Sequence, residues 1–434
     1  MPYSLTQQQT LNASNEPQCQ HFVVRKKRLC RMTVRPGRQY CGEHEPQPKT
    51  AAGQDDTRIP CPNDPKHTVY VSKLEKHLSI CNARATEQPP YIVPNINAPT
   101  ETEVCLRKPL SELTKEEVMQ VIDKINFLYD KHVKGNISTA REHPIHSSVM
   151  EEFSECDRAE SSLRHLRQVS SLLWIAEDEA LVGNNTCYVE LGAGKGHVSY
   201  YACSAWCGAG AGGALLVDRA SLRHKRDNKL RGRTAERIRA DLAHLALARV
   251  PLVADCSAVV GLAKHLCGVA TDYALRCITA EGVLHKTRGA VLATCCHHRC
   301  EHAAFIANRH LQDLDINGDE MNVMLGIVSW ATCGDGRSRD ARPPQPGPPP
   351  SPPGAPAPSG SLGPARPAPD GPLGPARPAL PRELREQAGR RAKQLLDWAR
   401  VLYLRDKGFD ARLCYYVPAT VSPENVCIVA SKLS

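Results

Sequence analysis

The stretch "CYVELGAGKGHVSYYA", residues 187–202, constrains the fold more than any other part of this 434-residue chain. An apolar β-type run, a glycine-rich turn and a helical pattern read as strand, tight turn and helix. Gly192, Gly194 and Gly196 let the backbone turn sharply and approach a ligand at the N-terminus of the helix that follows. Two acids narrow the use of this turn. Glu190 precedes it, and Asp218 ends the next apolar run, 26 residues past Gly192, where a carboxylate can bind ribose hydroxyls in nucleotide-binding α/β folds. The lysine and Ser/Thr arrangement of a phosphate-cradling NTPase loop is absent, which argues against an NTPase.

Apolar runs alternate with helical patterns on both sides of this turn, from residue 160 to 434, the signature of an α/β sheet. The runs are "CYVEL" (187–191), "ALLVD" (214–218), "RIRAD" (237–241), "VVGLAKHL" (259–266) and "GAVLATC" (289–295), followed by "RLCYYV" (412–417) and "NVCIVAS" (425–431). A mostly parallel sheet closed by a terminal antiparallel hairpin fits that order. Residues 335–382 interrupt it. Seventeen of the 34 prolines fall between Pro343 and Pro381, and "LGPARPA" occurs at 362–368 and again at 373–379, a composition that predicts a disordered insert. Beyond it, "LREQAGRRAKQLLDWARVLYLRDKGF" predicts an amphipathic helix ending at Gly408. Upstream, residues 105–150 read as a helical connector. Its helix opens with a capping box, Thr114 with Glu117, and sets Val118, Val121, Ile122, Ile125, Leu128 and Tyr129 on one face.

The N-terminal region is rich in Cys, His and Pro and poor in long periodic segments. Nineteen cysteines is an odd number, and without a secretory signal their spacing points to metal ligation rather than disulfides. Cys19, Cys30, Cys41 and His44 form one set, within a module at 15–48. Cys61, His67, His77 and Cys81 form a second, within a module at 57–85. Each set offers the donors of a closed, structural tetrahedral zinc site. His21 is the neighbour most easily mistaken for a ligand.

The net charge of +9 is clustered, with seven Lys or Arg against one Glu over residues 19–44 and nine against two acids over 219–239. Such patches suit a polyanion such as nucleic acid. No run approaches about 18 apolar residues, so the chain is expected to be intracellular, in nucleus or cytoplasm, with no membrane partner.

Two further clusters, "AKHLCGVATD" and "ATCCHHRC", fall where two of the parallel strands should end, the edge at which open α/β sheets place their sites. Lys264 and His265 stand in the first. The second crowds Cys295, Cys296, His297, His298 and Cys300 into six residues; adjacent ligands strain a tetrahedral site, which favours packing and substrate positioning over a third metal.

With these motifs in place, the chain resembles the eukaryotic tRNA methyltransferase thirteen family. The residues that carry the resemblance are the CCCH and CHHC sets, "YVELGAGKGHVS", "LLVDRASLRHKRDNK", "KHLCGVATDYALRC", "CCHHRC", "SWATC" and "VSPENVCIVA". The resemblance implies a Rossmann-like S-adenosylmethionine-dependent methyltransferase domain preceded by two small zinc-finger modules. It further implies methylation of the ribose 2′-oxygen of nucleotide 4 in the acceptor stem of a subset of tRNAs. S-adenosyl-L-methionine and two structural zinc ions are the implied cofactors, and tRNA the implied partner. Glu190, Gly192, Ala193, Gly194 and Gly196 should surround the methionine end of the cofactor, Asp218 its ribose and Asp241 its adenine. Lys264 and His265 then face methyl donor and substrate. A ribose hydroxyl must be held in line and relieved of its proton; Lys264, His265 or a histidine of the "CCHH" run could do so.

Two other readings compete. One is a non-catalytic zinc-finger RNA-binding protein with a cofactor-binding pseudo-enzyme domain. The other keeps the enzyme but moves the methyl group to a nucleobase or a protein side chain; the Asn/Asp-Pro-Pro-Tyr type of strand ending common in amino-methylating enzymes is absent from "AKHLCG".

Overall fold

The structure, a computed structural model, describes residues 17–433 apart from 24–27, 36, 42–43, 45–56, 82, 85–87, 100–106, 209–211, 223–225, 231–233 and 332–379. Nearly all of the expected Pro-rich insert lies outside the described residues, as do parts of the basic run at 219–239. The chain divides into two compact units, Met1–Glu87 and Gln88–Ser434.

The first unit holds two small hairpins. Strands β1 (Phe22–Val23) and β2 (Arg28–Leu29) pair antiparallel. Strands β3 (Arg58–Cys61) and β4 (Asp64–Tyr70) do the same, and a short helix, Leu74–Ile80, follows. The core around the first hairpin consists of Cys19, Cys30, Cys41 and Val34, with Val23 and Tyr40 against it. So small an apolar core cannot hold a fold alone, and its buried thiols are of the type that a bound metal cross-links.

The second unit is built on one sheet of eight strands. They are β5 (Ile137–Thr139), β6 (Thr186–Leu191), β7 (Gly212–Asp218), β8 (Ala235–Arg239), β9 (Ala258–Cys267), β10 (Thr287–Cys295), β11 (Phe409–Tyr415) and β12 (Val426–Lys432). The spatial order is β5-β11-β12-β10-β9-β6-β7-β8. The strands from β6 to β10 run parallel, while β12 lies antiparallel between β10 and β11. The central strands are mostly apolar because both faces are covered: β6 is buried at every position, and its polar residues Thr186 and Glu190 are buried with the rest. All seven strands predicted from sequence are present, with the terminal hairpin; β5, only three residues long, carries no periodic signal and was not predicted.

Helices cover both faces. The capping box predicted at Thr114 is formed, and Val118, Val121, Ile122, Ile125 and Leu128 of Lys115–Leu128 are buried in the same core as strands β6 to β10. On the other face, Glu160–Asp178 contributes Leu166, Val169, Leu172 and Leu173. The long helix Arg382–Asp406 ends before Gly408, whose φ of 84° allows the turn into β11. The sheet order reverses between β6 and β9, and a crevice opens there at the carboxyl ends of the strands.

Candidate active site and metal centres

At that crevice lies a cavity of about 430 Å³ lined by Glu190, Gly192, Ala193, Gly194, Asp218, Lys264 and His265, together with His165, Lys195, His197, Leu266, Cys267 and Ala270. A larger cavity of about 570 Å³ beside Trp174, Arg167 and Tyr416 contains none of these groups, so volume alone does not locate the chemistry. The glycine turn explains itself in dihedral angles. Gly192, Gly194 and Gly196 have φ of 71°, 52° and 76°, a region that costs L side chains energy. Gly196 caps the helix His197–Trp206 without lining the cavity.

The acids brace the turn. Asp218 accepts hydrogen bonds from the Gly194 and Ala220 amides, both at 2.7 Å, and still lines the cavity. Glu190 is buried and accepts from the Ser199 amide at 2.9 Å; burial pushes its carboxyl up to about 6, against the pull of Ser199. Arg237 donates to the Gly194 carbonyl at 3.0 Å. Asp241 is not brought to the cavity. Strand β8 ends two residues earlier, and the Asp241 carboxylate caps the next turn at the Ala243 amide.

Lys264 is partly buried near the tip of β9. Burial lowers its amine to about 8, with Glu190 and Cys295 opposing. Its Nζ lies 2.6 Å from His165 Nδ1. His165 was not predicted: it sits on the helix Glu160–Asp178, 99 residues away in sequence. His197 was also passed over, although it stands in the quoted stretch just after the third glycine; burial lowers its imidazole to about 4, keeping it neutral.

The structure sorts the "CCHHRC" run by direction. Cys295 and Cys296 turn toward His265 and Cys267. His297 turns the other way, into a buried network with Asp397 at 2.8 Å. Asp397 in turn accepts from Thr294 and Arg400, and Arg400 donates twice to Asp272 and approaches the Cys300 thiol at 3.2 Å. The run therefore faces two ways, with Cys295 and Cys296 against the cavity-lining His265 and Cys267 and His297 and Cys300 anchored in the core.

Part of the basic run is spent internally. Arg226 is ion-paired with Glu152, which also accepts from Tyr201, so this cation fixes the helix His197–Trp206 rather than facing outward.

In the first unit both predicted ligand sets converge. The donor atoms of Cys19, Cys30, Cys41 and His44 lie within 4.8 Å of one another, as do those of Cys61, His67, His77 and Cys81. His44 presents Nδ1, at 3.6 Å from Cys19 and 3.4 Å from Cys41; His67 and His77 present Nε2. These separations are close to the edges of a tetrahedron around zinc, about 3.3–3.8 Å for bonds of about 2.0–2.3 Å. His21 stays outside the set and stacks on the His44 ring at 3.8 Å.

Comparison with known proteins agrees with this layout. The family model described as Methyltransferase TRM13 matches residues 167–431. A CCCH zinc finger in TRM13 protein matches 17–45, and a U11-48K-like CHHC zinc finger matches 58–82. Curated relatives include the tRNA:m(4)X modification enzyme TRM13 homolog of Mus musculus, 32% identical over 95% of this chain and 94% of its own. The Homo sapiens homolog is 32% identical over 96% and 94%. The tRNA:m(4)X modification enzyme TRM13 of Saccharomyces cerevisiae is 25% identical over 96% and 97%. No solved structure matches the chain. With its sheet, glycine turn and both finger modules accounted for, the chain belongs to the TRM13 methyltransferase family.

Proposed function

We propose that the protein is an S-adenosylmethionine-dependent tRNA methyltransferase that modifies the ribose 2′-oxygen of nucleotide 4 in the acceptor stem. The observation that carries this reading is the meeting of the glycine turn, Asp218, Glu190 and the Lys264 amine in one cavity at the switch point of the sheet. The relatives' names, tRNA:m(4)X modification enzymes, support tRNA as the substrate.

Glu190, Gly192, Ala193, Gly194 and Asp218 would hold the cofactor. A cradle fits there: a Cβ at Gly194 would meet nothing within 4 Å, and Asp218 keeps acceptor capacity beyond its two amide bonds. When bound, the cofactor supplies a methyl group on a positively charged sulfur. The chain's own residues do the rest. Lys264 accepts the proton of the attacking 2′-hydroxyl, and donating one N–H to His165 Nδ1 leaves its lone pair free for that role. His265 lines the same cavity beside it. Two structural zinc ions, on Cys19, Cys30, Cys41 and His44 and on Cys61, His67, His77 and Cys81, would hold the finger modules together. Exposed Arg31 and Arg35 of the first unit, with Arg219 and Lys229 of the second, supply positive charge for acceptor-stem phosphates. A-form RNA is read through phosphates, shape and 2′-hydroxyls, the face this reaction needs.

The test is methyl transfer from labelled S-adenosylmethionine to unmodified tRNA transcripts, with products digested to nucleosides and mapped. A 2′-O-methyl label at acceptor-stem nucleotide 4 is the expected product. Cofactor binding and full zinc occupancy with no label would instead leave a zinc-finger RNA-binding protein.

A further inference from the structure

Strands β9 and β10 end side by side, with Cys267 registered against Cys295. Four side chains leaving these tips converge on one point. The donor atoms of His265, Cys267, Cys295 and Cys296 all lie within 4.8 Å of one another. Cys267 Sγ is 3.1 Å from Cys295 Sγ, and Cys295 Sγ is 3.6 Å from His265 Nε2. We propose that these four residues form a third zinc site, a Cys3His tetrahedron that joins the ends of β9 and β10 beside the cavity.

The backbone is shaped for such a site. Successive side chains of a strand point to opposite faces, so His265 and Cys267 can share one face while Cys295 and Cys296 ordinarily cannot. Cys296 solves this by leaving the strand in the left-handed region, with φ of 47° and ψ of 41°, a conformation that costs a non-glycine residue energy and needs a compensating contact. Gly268, directly after Cys267, has φ of 54°, and a Cβ there would stand 2.6 Å from Arg299 backbone. The two loops are thus pressed together at the point where the donors meet. His297 and Cys300 are committed to Asp397 and Arg400, which leaves these four as a separate set.

The donor chemistry matches that of the first finger: three soft thiolates and one imidazole suit zinc. Four protein ligands leave no open position, so this ion does not contact substrate. It pins the backbone on both sides of the strand tip that carries Lys264, and His265 then serves as ligand and positioning residue. Spacing within "CCHHRC" conceals the site because half of its ligands come from another strand.

Zinc content decides the matter without cofactor or RNA, so the result stands apart from the proposed activity. Full-length protein purified without chelator should contain three zinc ions per chain by elemental mass spectrometry. In its native state Cys267, Cys295 and Cys296 should resist alkylation until a strong chelator is added. Cys267→Ser combined with Cys296→Ser should lower the count to two, as should Cys30→Ser, which acts on the first finger. If the double variant fails to fold, the wild-type count and thiol protection decide alone. Two zinc ions in the wild type, with these three thiols freely alkylated or recovered as a disulfide, would overturn the proposal.

Discussion

A single amine sets the chemistry proposed for the cavity. Lys264→Ala should lower kcat by about 10²- to 10⁴-fold, the usual worth of a positioned acid or base, while calorimetry finds S-adenosylmethionine affinity unchanged. Lys264→Arg should not rescue, because a guanidinium keeps its proton at any working pH; wild-type turnover in either variant would remove Lys264 from the mechanism. Glu190, Gly194, Asp218 and Lys264 were legible in the sequence because each follows from its distance to a glycine turn or a strand end. His165 was not. It reaches Lys264 from a helix 99 residues upstream, and a lone histidine in an amphipathic pattern gives no hint of what that helix will face. Asp241 stands apart from the cavity lining: its strand stops two residues short, and its carboxylate also caps the Ala243 amide.

Between elements, the network at Asp397 is a buried, charged tie. It holds the loop after β10 to the helix Arg382–Asp406, with Asp272, His297, Asp397 and Arg400 all buried. Burial would push the Asp397 carboxyl up, but His297 and Arg400 outweigh it and hold the group below the usual range. Its stabilisation is therefore complete above about pH 4, the unfolded value, and is lost as pH falls below it. Asp397→Asn should cost about 3 kcal/mol in urea unfolding at pH 7, because a buried cation loses a partner. The acid limb of the stability curve should also flatten in the variant; an unchanged curve would mean the carboxylate carries no such load. Seven of the strands and the capping box at Thr114 were readable from period and end signals alone. The partners of this network were not, since Thr294 and Asp397 are 103 residues apart and nothing local marks Asp397 as inward-facing.

For the molecule as a whole, charge should govern the proposed encounter with RNA. Affinity for tRNA should fall linearly on a log–log plot against salt, and Arg219→Ala with Lys229→Ala should reduce the slope by about one unit for each phosphate that is no longer neutralised. Filter binding across a salt series measures both, and a salt-independent constant would contradict the assignment. Composition announced the basic patches but not that Arg226 turns inward to Glu152. The arrangement of β12 has a different consequence. It lies between β10 and β11, so residues 380–433 supply a long helix and two strands to a sheet whose other strands all precede residue 296. Backbone hydrogen bonds to β10 and the Arg400–Asp272 pair tie the two stretches together. The two stretches should behave as complementary fragments: co-expressed as separate polypeptides broken within 332–379, they should elute as one particle and come apart only in denaturant.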